Sequence, residues 1–476
     1  MENEELSGEL IKLSATKLAA MIRARQVSPV EVVAAHLRQI EQINPKLNAI
    51  VTPAPDVMKL AREAESAIMR GCDVGLLHGI PFTVKDTIET KALRTTSGSV
   101  LRASHIPDED APAVASMKSA GAILLGKTNV PEMAIPYECE NPVFGRTNNP
   151  HDQSRTSGGS SGGEAAAISA CLSPVGLGSD LSGSIRVPAH FCGIVGLKPT
   201  TARVSCAGHF PPTVGSLSLG AVIGPMARYV EDLSLLLNVL TTSDTADDAA
   251  SLRPETQSKI RLDVRGWRVA WSVAESYAPV TDETKQTIQA ALLALRDAGL
   301  VITDEKPPGM KRAISLWPEL FSRVSAEQLR EIYAGNEKQA GTSVRAVLAA
   351  LDKTPTPPLD EFVKAQTERR DLRAALIQWM HATPLMIAPV GAVPAFEHGA
   401  RRVDVEGHGM SVFRAFGYSR AVNVLGFPSV SVPAGRTREG LPIGIQIIGR
   451  PFAEEAVLAA ASIIEESLGG WVQEQG

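Results

Sequence analysis

Residues 157–163 read SGGSSGG, residues 178–186 read GSDLSGSIR, and GIVGLKPT follows at residues 193–200. The first stretch precedes residues 164–172, an alanine-rich segment of high helix propensity that ends before a proline. Its glycines therefore lie at the start of a predicted helix, where N–H groups are unpaired and the dipole is positive. Consecutive backbone N–H groups in such turns can stabilise an oxyanion, so these hydroxyl-rich turns indicate covalent catalysis rather than a linker.

Three interpretations of the serines are open on the residues alone. Residues 158–162 match the G-x-S-x-G pattern of a nucleophile elbow, but that motif follows a buried strand, whereas residues 148–155 are polar. Serines are also common as plain turn residues. The density of hydroxyl groups favours a set of nucleophilic serines.

Further motifs occur in order along the chain. They are GIPFTVKD (79–86), GKTNVPEM (126–133), NPVFGRTNNP (141–150), GPMAR (224–228) and GLPIGIQIIGRPF (440–452). Together with the serine-rich turns they resemble the amidase signature family over about residues 7–468, and least so between about 245 and 375. The resemblance implies a single α/β domain over residues 1–476, with a mixed, mostly parallel central sheet covered by helices on both sides.

The catalytic triad of that family corresponds to three residues of this chain. The resemblance implies Lys85 as the base, Ser160 as a proton relay preceded by a cis peptide bond, and Ser184 as the acylated nucleophile. A lysine base must be uncharged, so its pKa must fall by about 3 from about 10.4, which burial away from carboxylates achieves. Lys127 and Lys198 have similarly uncharged neighbours in sequence, so the residues alone leave three candidates and the resemblance selects Lys85.

The resemblance also implies which groups surround the triad. The family usually has glycine where this chain has Ser182, so a side chain enters the loop beside the nucleophile. The expected oxyanion donors are the backbone N–H groups of Leu181, Ser182, Gly183 and Ser184. The expected supporting residues are Ser161, Asp180 and Arg186, and the expected substrate contacts are Met133 and Tyr137.

The function implied by the resemblance is acyl transfer to water, with no metal and no organic cofactor. We expect cleavage of the C–N bonds of small or hydrophobic amides, and the same chemistry would serve for esters and carbamates. The sequence contains no H-E-x-x-H, C-x-x-C or P-loop motif, in line with this expectation. Two alternatives stay open, namely the glutamine-amidase subunit of a tRNA-dependent amidotransferase and a binding protein that keeps the scaffold without turnover.

Composition and charge favour a cytoplasmic enzyme with a small-molecule substrate. The chain has 476 residues, 44% of them hydrophobic, a formal net charge of −5, and no long basic run that would favour nucleic acid. Its five cysteines lack metal-binding spacing, which is typical of free thiols. Residues 1–6 do not begin a signal peptide, and no apolar stretch reaches the about 18 residues of a membrane span. We expect a monomer or a homodimer.

Helix and strand signals alternate along the chain, which is typical of α/β folds. Ser28, Pro29 and Glu31 predict the start of a helix to about residue 43, within a helical arm at about residues 7–70. Residues 245–375 are expected to form a helical cap or insertion. The other predicted elements are helices at 55–69 and 282–297, and strands at 81–84, 122–125, 175–177, 269–273, 385–388, 429–432 and 443–448.

Overall fold

One large β-sheet organises the fold. The computed structural model describes residues 7–241, 262–272 and 278–472. Within these residues, eleven strands form the main sheet, and two two-stranded ladders lie outside it. In chain order the strands are β1 (Ile50–Pro53), β2 (Pro81–Lys85), β3 (Ile123–Thr128), β4 (Glu140–Asn141), β5 (Gly145–Arg146), β6 (Val175–Asp180), β7 (Val195–Lys198), β8 (Val222–Ala227), β9 (Arg268–Trp271), β10 (Val301–Thr303), β11 (Leu385–Pro389), β12 (Arg402–Val405), β13 (His408–Ser411), β14 (Ser429–Arg436) and β15 (Pro442–Gly449).

The main sheet mixes parallel and antiparallel pairs. Its strand order is β1-β3-β2-β6-β8-β7-β14-β15-β11-β9-β10. Parallel pairs form two blocks, β3-β2-β6 and β11-β9-β10. Antiparallel pairs join these blocks and add β1, and among the described strands they outnumber the parallel pairs. The prediction of a mixed sheet flanked by helices is confirmed, and of the expected parallel pairing the described main sheet has four pairs out of ten.

Helices pack against the strands of this sheet. For example, 282–297 and 454–468 pack on β14, and 186–192 packs on β14 and β15. The described α-helices are α1 (Ala15–Arg23), α2 (Pro29–Leu47), α3 (Val57–Met69), α4 (Pro112–Ser119), α5 (Gly162–Ser169), α6 (Arg186–Cys192), α7 (Val230–Thr241), α8 (Asp282–Asp297), α9 (Met310–Trp317), α10 (Arg323–Ile332), α11 (Thr342–Lys353), α12 (Leu359–Trp379), α13 (Val412–Ala415), α14 (Gly417–Leu425) and α15 (Glu454–Leu468). Shorter helical turns lie at Val100–Arg102, Glu132–Ala134, Gly215–Leu219, Pro318–Ser322 and Glu337–Gln339.

Helix α2 shows how local sequence sets an element. The Ser28 hydroxyl accepts from Glu31 N at 3.1 Å, and the Glu31 carboxylate accepts from Ser28 N at 2.8 Å. This is the reciprocal capping box that the sequence predicts, with Pro29 at the first helical position. The helix runs to Leu47, beyond the predicted end, and stops at Asn48, which has the left-handed φ of 54°.

The expected helical cap over residues 245–375 needs a correction. Residues 245–261 and 273–277, including the end of the predicted strand at 269–273, lie outside the described residues. The segment that contains β9, α8 and β10 is not a cap, because both strands join the main sheet and α8 packs on β14 and α15. Within the described part of this region, the helices from α9 to α12 lie outside the sheet, and α9 and α10 contribute side chains to the cavity that is also lined by Ser160 and Ser184.

The sheet brings the ends of two strands together. Strands β2 and β6 are parallel neighbours and are buried along their whole length. Their carboxyl ends, Lys85 and Asp180, therefore lie at the same edge of the sheet, where α/β proteins commonly bind ligands. Among the described residues, no helix is both long enough and apolar enough to cross a bilayer.

Candidate active site

Lys85 is the last residue of β2, and its side chain is fully buried. Its Nζ lies 2.7 Å from Ser160 Oγ, 2.9 Å from Ser179 Oγ and 3.3 Å from Ser179 O. Burial lowers the pKa of this amine from 10.5 to about 7, although the nearby Asp180 carboxylate acts in the opposite direction. A substantial fraction of the amine is therefore uncharged near neutral pH and able to take a proton from a hydroxyl.

The two other candidate lysines are also buried but have different contacts. Lys127 Nζ contacts a backbone carbonyl oxygen and Thr90 Oγ1, and Lys198 Nζ contacts two backbone carbonyl oxygens. Burial lowers the pKa of both amines, to about 8 and about 7. A low pKa therefore does not distinguish Lys85. Its contact with Ser160, a hydroxyl that lines a cavity, does.

Ser160 lies between a cis peptide bond and the start of α5. The bond that joins Gly159 to Ser160 is cis. A Cβ at Gly159 would come within 2.4 Å of Pro136 O, so this position has no room for a side chain. The neighbouring Ser161 donates its N–H to Ser184 O at 3.1 Å, which ties the first serine-rich turn to the second.

A buried ion pair holds the loop that carries Ser184. Arg186 donates to the Asp180 carboxylate through Nε at 3.0 Å and through Nη2 at 3.1 Å, and both side chains are fully buried. The same carboxylate accepts from Gly183 N at 2.7 Å and from Ile185 N at 3.2 Å. Burial alone would raise the pKa of Asp180, but the Arg186 guanidinium holds it well below its usual range. Asp180 therefore stays ionised and fixes the backbone of this loop.

The four expected oxyanion donors are not equivalent. Within the described part of the chain, the N–H groups of Leu181, Ser182 and Ser184 donate to no protein acceptor, and all three residues line the cavity. Gly183 differs from the expectation, because its N–H is already donated to the Asp180 carboxylate. Three of the four expected donors are thus free.

The extra side chain at position 182 fits this loop. The left-handed backbone angle falls on Gly183, which has a φ of 107°, and Ser182 is not among the residues with positive φ. A Cβ at Gly183 would approach Ser419 Cβ to 2.7 Å. Glycine is therefore required at position 183 and not at position 182.

A cavity of about 160 Å³ is lined by both Ser160 and Ser184. Asp180 is the one charged residue among its described lining residues, and its charge is already paired with Arg186. The cavity is therefore suited to an uncharged ligand with apolar groups. The apolar side chains that line it include Met133, Ile135, Leu217, Val222, Trp317 and Leu329.

The two predicted substrate contacts have different positions. Met133 lines the cavity that Ser160 and Ser184 also line. Tyr137 supports the neighbouring loop instead, because its hydroxyl donates to Ser182 O at 2.7 Å and its ring packs on Phe416 with centroids 5.2 Å apart.

Sequence reasoning missed three residues of this site. Ser179 contacts Lys85, and its place beside Asp180 at the end of a strand parallel to β2 was an available signal. His209 contacts Ser179 Oγ at 2.9 Å, and Trp317 donates its indole N–H to Leu181 O at 2.8 Å. Both lie in segments whose sequence carries no pattern that points to the site. Among the described residues, no group of three His, Cys, Asp or Glu side chains is arranged to hold a metal ion.

Sequence comparisons relate this chain to known proteins. The family model described as Amidase matches residues 31–458. A glutamyl-tRNA(Gln) amidotransferase subunit from Carboxydothermus hydrogenoformans is 34% identical, over 96% of this chain and 98% of that protein.

Two solved structures are similar over almost the whole chain. A fatty acid amide hydrolase matches with a TM-score of 0.87 and 25% identity, over 98% of this chain and 86% of the other. A bacterial aryl acylamidase of the amidase signature family matches with a TM-score of 0.81 and 26% identity, over 96% of each chain. The resemblance is therefore confirmed, and this chain belongs to the amidase signature family of hydrolases that act on carbon–nitrogen bonds.

Proposed function

We propose that this chain hydrolyses amides through an acyl-enzyme on Ser184. Lys85 accepts a proton from Ser160 while Ser160 accepts one from Ser184, and Ser184 Oγ forms a bond to the substrate carbonyl carbon. The protonated Lys85 returns its proton through Ser160 to the leaving amine as the C–N bond breaks. Water then gives a proton to Lys85 through Ser160 and bonds to the ester carbonyl carbon; the bond from that carbon to Ser184 Oγ breaks, Ser184 regains the proton, and the carboxylic acid leaves. The 2.7 Å contact between a buried, largely desolvated amine and Ser160 is the observation that carries this proposal.

The oxyanion of each tetrahedral intermediate is proposed to bind the loop after β6. The free N–H groups of Leu181, Ser182 and Ser184 line the same cavity as the nucleophile. They are held in place by a buried ion pair, so little reorganisation is needed when charge develops on the carbonyl oxygen.

The proposed substrate is an uncharged amide with an apolar acyl or amine group. An amino acid amide such as glutamine carries an ammonium and a carboxylate, each of which needs a counter-charge when it leaves water. The described lining residues offer only Asp180, which Arg186 already neutralises. The apolar wall supports hydrophobic amides, and esters and carbamates of similar shape are proposed as secondary substrates.

A second candidate function is favoured by the sequence comparison. The relative from Carboxydothermus hydrogenoformans is one component of an amidotransferase, and it matches over nearly the whole chain. On this alternative the chain would release ammonia from an amide donor and would work with partner proteins and tRNA. The described lining residues carry no unpaired charge, which favours a hydrolase that works without partner subunits. For it we propose a single domain that acts as a monomer or a homodimer.

Covalent labelling tests the enzyme against a non-catalytic scaffold. A fluorophosphonate probe is expected to label the wild type at Ser184 and to leave Ser184→Ala unlabelled, with Ser154→Ala, an exposed turn serine, as the matched control. A wild-type protein that resists the probe and hydrolyses no amide would support the binding-protein alternative.

A substrate panel then separates the two enzymatic functions. We expect p-nitroanilides of apolar acids to be cleaved at least about tenfold faster than glutamine, a difference of about 1.4 kcal/mol in barrier. Release of ammonia from glutamine without anilide cleavage would favour the amidotransferase function. Size-exclusion chromatography with and without tRNA provides the check on partners, since the proposal expects no shift on addition of tRNA.

A further inference from the structure

A second hydrogen-bond chain leads from Lys85 to the cavity wall. Ser179 Oγ lies 2.9 Å from Lys85 Nζ and 2.9 Å from His209 Nε2. His209 also lines the cavity, and its Nδ1 lies 2.9 Å from Pro211 O. The order of contacts is thus Lys85, Ser179, His209 and a backbone carbonyl oxygen.

The carbonyl oxygen at the end of this chain fixes where the protons lie. A carbonyl oxygen only accepts, so His209 Nδ1 must carry a proton. Burial and the Lys85 cation lower the pKa of His209 to about 4, so the ring is neutral near pH 7 and Nε2 is an acceptor. The Ser179 hydroxyl therefore donates to His209 and offers its lone pairs to Lys85.

This arrangement matches the hydrogen-bond donors and the acceptor of an uncharged amine. A neutral lysine has two N–H donors and one lone pair, and Lys85 Nζ has three oxygen neighbours. Ser179 O can only accept, and Ser179 Oγ accepts because its own proton is directed at His209. Both N–H groups are thereby used, so the lone pair faces Ser160 Oγ, the group from which the base takes its proton.

We propose that His209 is a positioning residue that acts through Ser179 to direct the lone pair of Lys85 toward Ser160. The inference rests on the proposed function, since it assumes that Lys85 is the base. Without the acceptor at His209, the Ser179 hydroxyl is free to donate to Lys85 and competes with Ser160 for the lone pair. The base would then be correctly placed in only part of the molecules.

Other ionisable groups lie near Lys85 and His209. They are unchanged in the variants below, so a difference between variants and wild type reports on the hydrogen-bond chain itself. The groups near Lys85 are Asp180, Cys139 and Glu164, and those near His209 are Lys85 and Lys127.

The test compares loss and retention of each hydrogen bond. His209→Leu and Ser179→Ala remove the acceptor and the bridge, whereas His209→Gln and Ser179→Thr can retain them. His190→Leu is the matched control, because His190 is a buried histidine whose pKa burial lowers to about 4 and whose ring bonds to backbone groups. Each variant is measured for kcat and KM on an anilide substrate, for the pH dependence of fluorophosphonate labelling, and for thermal unfolding.

The two disruptive variants are expected to lower kcat about tenfold, the effect of one net hydrogen bond, with KM changed less than about twofold. In both variants the acid limb of the pH profile of labelling is expected to shift to lower pH, because the pKa of Lys85 falls. Ser179→Ala removes an acceptor that stabilises the charged form of Lys85, and His209→Leu frees the Ser179 hydroxyl to donate to the uncharged form. Ser179→Thr should recover most of the wild-type kcat and the wild-type acid limb of labelling. His190→Leu should also show the wild-type acid limb.

Three results would overturn the inference. One is a rise in KM with kcat unchanged, which assigns His209 to substrate binding. Another is an acid limb at the wild-type pH in both His209→Leu and Ser179→Ala. The third is a loss of kcat in Ser179→Thr equal to that in Ser179→Ala, which would indicate a packing effect. Failure of the proposed function is distinguishable, because it is recognised in the wild type as an absence of Ser184 labelling.

Discussion

At the scale of single residues, the state of Lys85 depends on how its acidic neighbours are neutralised. Asp180, Cys139 and Glu164 all raise the pKa of this amine, yet burial keeps it at about 7. The Asp180 charge is offset by Arg186. Burial raises the pKa of Cys139 to about 12 and that of Glu164 to about 7, so the thiol is neutral and the carboxyl is only partly ionised at neutral pH. Desolvation therefore outweighs the remaining attraction.

The pH dependence of catalysis follows from this state of Lys85. Because the proposed base, Lys85, can act only when unprotonated, kcat/KM is expected to fall about tenfold for each pH unit below about 7. Lys85→Arg should be inactive at every pH, since a guanidinium stays charged. Initial rates between about pH 5 and pH 9 check this, with tryptophan fluorescence to confirm that the protein stays folded. A rate that is level down to about pH 5 would contradict the assignment of Lys85.

At the scale of elements, the turn between β6 and α6 determines the position of Ser184, the proposed nucleophile. The turn is closed by the carboxylate at the end of β6, which accepts from Gly183 N and Ile185 N and pairs with the first residue of α6. One strand end and one helix start are thereby locked together. The positive φ that this geometry demands falls on Gly183.

Two substitutions in this turn are expected to have opposite outcomes. Gly183→Ala should lower kcat/KM by about tenfold or more, because a side chain at a φ of 107° is strained and its Cβ meets Ser419. Ser182→Gly should change kcat/KM by less than about twofold, since its backbone does not require glycine and its N–H group is retained. Steady-state kinetics on one anilide substrate measure both, and an equal loss in the two variants would contradict this account.

At the scale of the whole molecule, the helical segment from α9 to α12 is attached by buried polar contacts to Ser99 and to the short helical turn at Glu132–Ala134. Tyr333 OH contacts Ser99 Oγ and Glu132 Oε1, each at 2.7 Å, and Gly341 N donates to Glu132 Oε2 at 2.8 Å. Burial raises the pKa of Glu132, despite these hydrogen bonds. The same helical segment supplies Trp317 and Leu329 to the cavity wall, so its attachment helps to position that wall.

Removal of one hydroxyl tests this attachment. Tyr333→Phe is expected to lower the free energy of unfolding by about 1–3 kcal/mol, because Glu132 keeps its burial and loses a donor. It should also raise KM, since helix α10 carries cavity-lining residues. Tyr229→Phe is the control, because Tyr229 OH donates to Lys12 O, in the N-terminal arm. Urea unfolding and KM measure the two effects, and a KM that changes equally in both variants would contradict the coupling.

Much of the architecture could be predicted because it depends on local signals. The capping box at Ser28 and Glu31 and the apolar runs of β2 and β6 act over a few residues. Motif resemblance also singled out Lys85, Ser160 and Ser184. In the structure Lys85 contacts Ser160, and Ser160 and Ser184 line the same cavity. Local backbone preferences and short motifs can be predicted from the sequence because they do not depend on residues that are distant in the chain.

The remaining features depend on partners that are distant in the chain. The bond of Ser179 with His209 joins residues 30 positions apart, and that of Trp317 with Leu181 joins residues 136 positions apart. The use of the Gly183 N–H by Asp180 and the supporting position of Tyr137 likewise follow from how the loops meet. The pKa of Lys85 belongs to this group too, because desolvation exists only once the packed sheet and helices have excluded water from the amine.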